Sequence, residues 1–376
     1  MHHGFRAALT AGPPSRLHRA RLTFTAIWRT LVFLLKVMPM LPSRALNVLI
    51  PEPIVTKLRY PTSRGTVEGD LYRPATPGPH PGMVMCLGVI PIDVDHPQIP
   101  RLGEALARSG FAALLYWSPA MRDRRLAVDD VADIASAYAH LLEQPEIDPA
   151  RSGLFGTCVG GSFVLMAAAD QRIRGRVQFV GTFAPFSSMW TLAEDVASAS
   201  RELDGKRIPW EVDQLTRAVY VRTLTEDLPP DEAARLRVVQ AEDGIGTDTT
   251  YLSDTGKLVA SLLKPQTPDG AHSLLHQLPA SQQQQLTDMS PITYLSDIRA
   301  PLVIISHDRD DTVVPVGESR RMMQALEARP GARYTEFEMF QHADPTKRSL
   351  APLKLAKELG KFASGLYPMF RKSLGS

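Results

Sequence analysis

Three side chains far apart in the sequence could together move an acyl group: Cys158, Asp311 and His342. A thiol becomes a strong nucleophile when a histidine takes its proton, and an acid orients that histidine and balances its charge. Cys158 is the centre of Gly156-Thr157-Cys158-Val159-Gly160. This spacing predicts a short buried strand (152–155), a hard turn on Gly156, and a helix from Val159 onward. Such a turn holds its central residue in a strained backbone conformation, and glycines two before and two after it remove colliding side chains. It also aims the Val159 N–H and the positive end of a helix at the reacting atom. A G-x-C-x-G string occurs by chance, and most buried cysteines are small core hydrophobes, so the other two groups must be found downstream.

The acid is sought in Ser306-His-Asp-Arg-Asp-Asp-Thr-Val-Val-Pro315, at the carboxyl end of an apolar run. Asp311 is the first choice, four positions before Pro315, with Asp310 and Asp308 as alternatives. The simpler reading is an acidic turn that caps the following helix. The base is sought just past the last apolar run, where His342 stands, with His307 and His96 as competitors. The negative charge of a tetrahedral intermediate needs a second backbone donor beside Val159. The loop after residues 83–88 offers the N–H of Val89 or Ile90.

These residues need a scaffold that gathers strand ends at one edge. Antiparallel strands are predicted at 54–60 and 66–72, then buried strands at 83–88, 111–117, 152–155, 177–183, 301–306 and 333–340. Helices are predicted between them at 101–109, 126–142, 159–170 and 316–328, with a last one from about 349 to 366. Strands alternating with helices give an α/β protein with a mostly parallel sheet covered on both faces. The rhythm stops between 187 and 290, which reads as a mostly helical cap inserted into a core of 51–186 and 291–376.

The chain has 376 residues, 44% hydrophobic and 22% charged, enough to bury a sizeable core. Cys86 and Cys158 are the two cysteines. Cys86 falls inside a strand, so no structural disulfide is expected, and a reducing compartment, the cytoplasm, fits best. The net charge of +2 hides an asymmetry: residues 1–50 carry seven Lys/Arg and no acid, and the remainder carries 35 basic against 40 acidic side chains. A mildly acidic body without a basic stripe argues against nucleic-acid binding. Residues 22–41 are strongly apolar but broken by Arg29 and Lys36, which share a helix face seven apart. The expectation is an amphipathic helix that packs on the body or lies in a membrane interface. No small-x-small site follows the run, which argues against a signal peptide, although an Arg-rich, acid-free leader is also a transit-peptide pattern.

With these residues assembled, the chain resembles the α/β-hydrolase superfamily and, within it, the dienelactone-hydrolase-like branch. The resemblance covers 54–184 and 295–368. It rests on Leu87-Gly88 and the loop after it, Gly156-Thr-Cys-Val-Gly-Gly161, Asp311 with Val313-Val-Pro315, and His342, in the order nucleophile, acid, base. It implies cleavage of esters, lactones or thioesters without metal or cofactor. Residues 85–90 lack the glutamate that gates the cysteine in dienelactone hydrolases, and Leu87-Gly88 replaces the His-Gly common in serine relatives. The cap and basic tail are absent from the minimal family, which points to a larger, apolar acyl substrate. Two other classes compete: an acyltransferase or cyclase that passes the same thioester to an alcohol or amine, and a non-catalytic ligand-binding hydrolase fold.

Overall fold

Successive residues of the strand at Met83 face opposite sides of a sheet, and each side meets its own apolar layer. The computed structural model describes residues 15–38, 41, 44–90, 96–241, 249–340, 342 and 350–375. The expected tail residues 1–14 and the expected helix start near 349 lie outside them.

In chain order, α1 (Arg16–Val37) and α2 (Arg44–Leu49) precede β1 (Ile54–Thr62) and β2 (Gly65–Arg73). Then come β3 (His80–Cys86), α3 (Gln98–Arg108), β4 (Ala112–Tyr116), α4 (Pro119–Arg122), α5 (Asp129–Leu141), β5 (Ile147–Thr157), α6 (Val159–Ala169) and β6 (Val180–Phe183). The stretch between β6 and β9 holds α7 (Met189–Ala197), a hairpin of β7 (Ser200–Leu203) and β8 (Lys206–Pro209), α8 (Gln214–Leu224), α9 (Pro230–Ala241), α10 (Asp254–Leu262), α11 (Pro268–Leu275) and α12 (Ala280–Asp288). The chain closes with β9 (Val303–Asp308), α13 (Val316–Ala325), β10 (Ala332–Phe337) and α14 (Pro352–Lys372).

Eight strands form one sheet in the order β1-β2-β4-β3-β5-β6-β9-β10. Strands β4, β3, β5, β6, β9 and β10 are parallel, and β1 and β2 add an antiparallel edge. Met83 and Met85 enter the layer that holds Phe33 of α1, Leu106 of α3 and Phe370 of α14. Val84 and Cys86 enter the other, with Ile134 of α5, Phe163 of α6 and Met322 of α13. The α/β sheet matches the sequence expectation, with shifted ends. Strand β3 stops at Cys86, so Leu87-Gly88 already belong to the loop, and β10 stops at Phe337, three residues short of the expected 340. The β7–β8 hairpin carries no strong β-branched pattern and was not anticipated.

Helix α1 packs on the body, one of the two expected placements. Arg29 and Lys36 do share a face, but that face is turned toward the body. Lys36 is buried and hydrogen-bonds Asn47, and the Arg29 guanidinium lies over Gly110, where a Cβ would come within 2.5 Å of it.

Candidate active site

Strand β5 runs two residues further than its sequence suggests, and the turn falls on Cys158 itself rather than on Gly156. Cys158 has φ 55° and ψ −133°, a left-handed conformation that a side chain adopts only when its surroundings enforce it. Its N–H donates to Phe183 O at 2.8 Å and its carbonyl accepts from Gly161 N at 2.9 Å. The glycines explain how the chain can turn so tightly. A Cβ on Gly156 would lie 2.3 Å from Gly160 O, and one on Gly160 would lie 2.5 Å from Cys86 O. The loop after β3 is thereby pressed onto the start of α6. Gly88, at φ +67°, would put a Cβ 2.5 Å from Thr157 O, and Thr157 Oγ1 donates to Leu87 O at 3.1 Å.

This contact sets the loop after β3 beside the first turn of α6. The N–H groups of Val159 and Val89 donate to no acceptor among the described residues. Val89 is buried and lines the cleft above Cys158, whereas Ile90 packs into the opposite apolar layer. Of the two residues expected beside Val159, Val89 is the one that lines the cleft.

Asp311 and His342 meet across the sheet edge. Asp311 Oδ2 accepts from His342 Nδ1 at 2.8 Å, and Oδ1 accepts from the N–H of Val313 at 2.7 Å and of Val314 at 2.9 Å. Burial works against the Asp311 charge, but the His342 ring and these donors outweigh it and hold its pKa below the usual carboxylate range. Burial also works against a charged His342. The Asp311 carboxylate and the Cys158 sulfur overcome that and raise the His342 pKa well above its ordinary value. With Nδ1–H given to Asp311, the other nitrogen, Nε2, is the one left to act. It is buried and has no conventional hydrogen-bond partner among the described residues. His342 itself sits at φ 80°, a second strained non-glycine backbone at the site.

The competing residues have other occupations. Asp308 accepts the N–H of Met339 at 2.6 Å and that of Phe340, so it holds the turn that carries His342. Asp310 is half-buried and donates its N–H to Asp308 Oδ1 at 2.9 Å. His307 is fully buried: Nε2 donates to Val314 O at 3.0 Å and Nδ1 meets Ser319 Oγ at 2.6 Å, and burial lowers its pKa, which keeps it neutral. His96 accepts the Gln98 N–H at 3.3 Å ahead of α3. Cys86, the other thiol, is fully buried with its pKa pushed up to about 12 by that burial, and it is an inert core residue.

Above Cys158 lies a cleft of about 520 Å³, including its open mouth. Its walls are apolar side chains of α7 (Met189, Leu192, Val196) and α8 (Leu215, Val219), with Leu126 and Phe186. Thr216 and Tyr220 also line it, but their hydroxyls are spent on Val313 O at 2.9 Å and Leu262 O at 3.2 Å. The segment after β6 grips the acid loop through three consecutive carbonyls. Arg201 donates to Asp311 O at 2.6 Å, Trp210 to Thr312 O at 3.1 Å and Thr216 to Val313 O. Sequence alone missed these residues; apolar spacing on α7 and α8 was the available signal, but it reads equally as ordinary helix packing. No His, Cys, Asp and Glu cluster able to hold a metal ion occurs among the described residues.

No protein-family model and no curated protein matches the chain. Solved structures do. An acylaminoacyl peptidase in complex with Z-Gly-Gly-Phe-chloromethyl ketone is 14% identical at a TM-score of 0.51, over 84% of this chain and 41% of that one. A Mycobacterium tuberculosis puromycin-hydrolysing peptidase is 16% identical at a TM-score of 0.51, over 89% of this chain and 41% of the other. The 2,6-dihydroxy-pseudo-oxynicotine hydrolase is 17% identical at a TM-score of 0.50, over 85% and 68%. The chain thus spans about two fifths of the length of the two peptidases. At these identities the likeness speaks for the fold, and with the eight-stranded sheet it is sufficient: the chain has the α/β-hydrolase fold.

Proposed function

We propose that the protein is a hydrolase that cleaves an ester, lactone or thioester of an apolar acyl group through Cys158, His342 and Asp311. The observation that carries this reading is a strained, buried Cys158 whose sulfur acts on His342, a ring whose Nδ1 is committed to Asp311. In the first step the Cys158 proton passes to His342 Nε2, and the raised basicity of the ring favours that transfer. The thiolate attacks the acyl carbon, and the carbonyl oxygen takes the electron pair as an oxyanion facing the Val159 and Val89 N–H groups. Collapse expels the leaving group, which receives the proton from His342. Neutral His342 then takes a proton from water, whose hydroxide attacks the thioester. Collapse of the second oxyanion breaks the C–S bond and releases the carboxylic acid, and the Cys158 thiolate recovers its proton from His342.

The apolar walls of the cleft support an apolar acyl group, since they offer it no free polar side chain. The cysteine nucleophile and the Gly160-Gly161 pair support a dienelactone-hydrolase-like origin, with a substrate larger than a small lactone. The same lining favours a second reading, because a chamber poor in polar groups holds water badly and lets an alcohol or amine compete for the thioester. Hydrolysis of p-nitrophenyl esters from short to long acyl chains, by wild type and Cys158→Ala, tests the first reading. Turnover by wild type alone supports it. Equal turnover by both proteins would sink it, and added alcohol that diverts product to a new ester would favour transfer.

A further inference from the structure

Helix α1 carries apolar side chains on two opposite faces, and the body of the protein uses one of them. Ala26, Thr30, Phe33 and Leu34 are buried, and Phe33 packs on Phe370 of α14 with ring centroids 6.0 Å apart. On the far side Leu17, Phe24, Ile27, Trp28 and Leu31 are 84, 73, 45, 42 and 45% exposed. At 3.6 residues per turn these five fall within an arc of about 100°, one continuous stripe. Lys36 and Arg29, which a surface helix would turn to water, are instead turned inward. A helix whose second half turns its two cations inward and an apolar stripe outward is inverted for contact with water alone.

The charge around the stripe narrows what covers it. Arg16, Arg19 and Arg21 are exposed on the first half of the helix, and residues 1–51 contain no Asp or Glu. The start of a helix ordinarily favours acids, so arginines there make this end of α1 strongly positive and suited to an external anion. A two-fold contact with a second copy would bring together segments with no acid to offer the arginines. No helix among the described residues is long and apolar enough to cross a membrane.

We propose that this face of α1 docks on an anionic lipid bilayer, with the helix lying in the interface plane. Phe24, Ile27, Trp28 and Leu31 enter the acyl boundary, and Arg16 and Arg21, at the two borders of the stripe, meet lipid phosphates. The proposal is independent of the role assigned to Cys158.

The test is co-sedimentation of the full-length chain with phosphatidylcholine vesicles, with and without phosphatidylglycerol. Wild type should bind the anionic vesicles. The triple variant Phe24→Ser, Trp28→Ser, Leu31→Ser should bind more than about tenfold more weakly, and each Arg16→Gln or Arg21→Gln change should weaken binding about fivefold at low salt. Bromine-labelled acyl chains should quench tryptophan fluorescence in wild type but not in Trp28→Phe, a readout that does not depend on the triple variant folding. Wild type that stays in the supernatant overturns the proposal, as does unchanged binding by a folded triple variant. A wild-type oligomer that the triple variant converts to monomer assigns the face to a second copy and also overturns it.

Discussion

Asp308, the last residue of β9, and Asp311, three residues on in the following loop, hold His342 from two sides. Asp311 binds the ring through Nδ1 at 2.8 Å, and Asp308 binds the backbone N–H groups of Met339 and Phe340 just before it. One carboxylate sets the tautomer, and the other sets where the loop places the ring.

This division separates the two asparagine variants. Asp311→Asn should lower kcat by about 10³–10⁴-fold, because an amide that donates to Nδ1 selects the wrong tautomer. Asp308→Asn should cost about 1–3 kcal/mol of stability through weakened buried acceptors, with a smaller fall in kcat. Melting curves and ester kinetics on both variants check the split. A larger kcat loss in Asp308→Asn than in Asp311→Asn would reverse the assignment.

The His342–Asp311 pair should leave its mark on stability against pH. The His342 pKa is raised in the folded state, so its contribution is fully present below the ordinary histidine value and is lost as pH rises through the raised one. The Asp311 pKa is lowered, so its contribution is present above the ordinary carboxylate value and is lost as pH falls through the lowered one. The Tm advantage of wild type over His342→Gln should therefore be widest in the mildly acid range and narrow toward alkaline pH. A gap that widens with rising pH would contradict the pairing.

Much of this arrangement is legible in the sequence because it depends on local spacing. Glycines two before and two after Cys158 mark a close approach of strand and helix, and Asp311 and His342 each follow an apolar run that must be a strand. The exact turn was less legible: nothing local distinguishes a bend at Gly156 from one at Cys158, which the Phe183 carbonyl helps to fix. The roles of Asp308 and Val89 depend on chain segments that meet only after folding. For α1 the obstacle is different. Apolar residues occur all round that helix, so its sequence does not reveal which face the Phe111–Phe370 layer accepts.

Gly160 is the point where the β3 loop touches the elbow. Gly160→Ala should cost about 1–3 kcal/mol, because its Cβ would meet Cys86 O at 2.5 Å and neither backbone can yield easily. Thermal melts should show the loss, and kcat should fall with it as Val89 is pushed from Val159. A variant with wild-type Tm and kcat would remove the case for a close-packed oxyanion loop.

The walls of the cleft should set acyl length. Ala193 of α7 lines it, and Ala193→Phe should move the optimum toward shorter acyl chains, with KM for long chains rising about tenfold and short-chain turnover kept. An unchanged chain-length profile would place the acyl group elsewhere.

The central claim is that Cys158 carries the acyl group. Intact-protein mass spectrometry after brief mixing with a p-nitrophenyl ester addresses it directly. The account predicts one added acyl mass, mapped to Cys158, removed by neutral hydroxylamine and absent in Cys158→Ala. Turnover with an adduct on another residue, or an adduct that persists in Cys158→Ala, would contradict it.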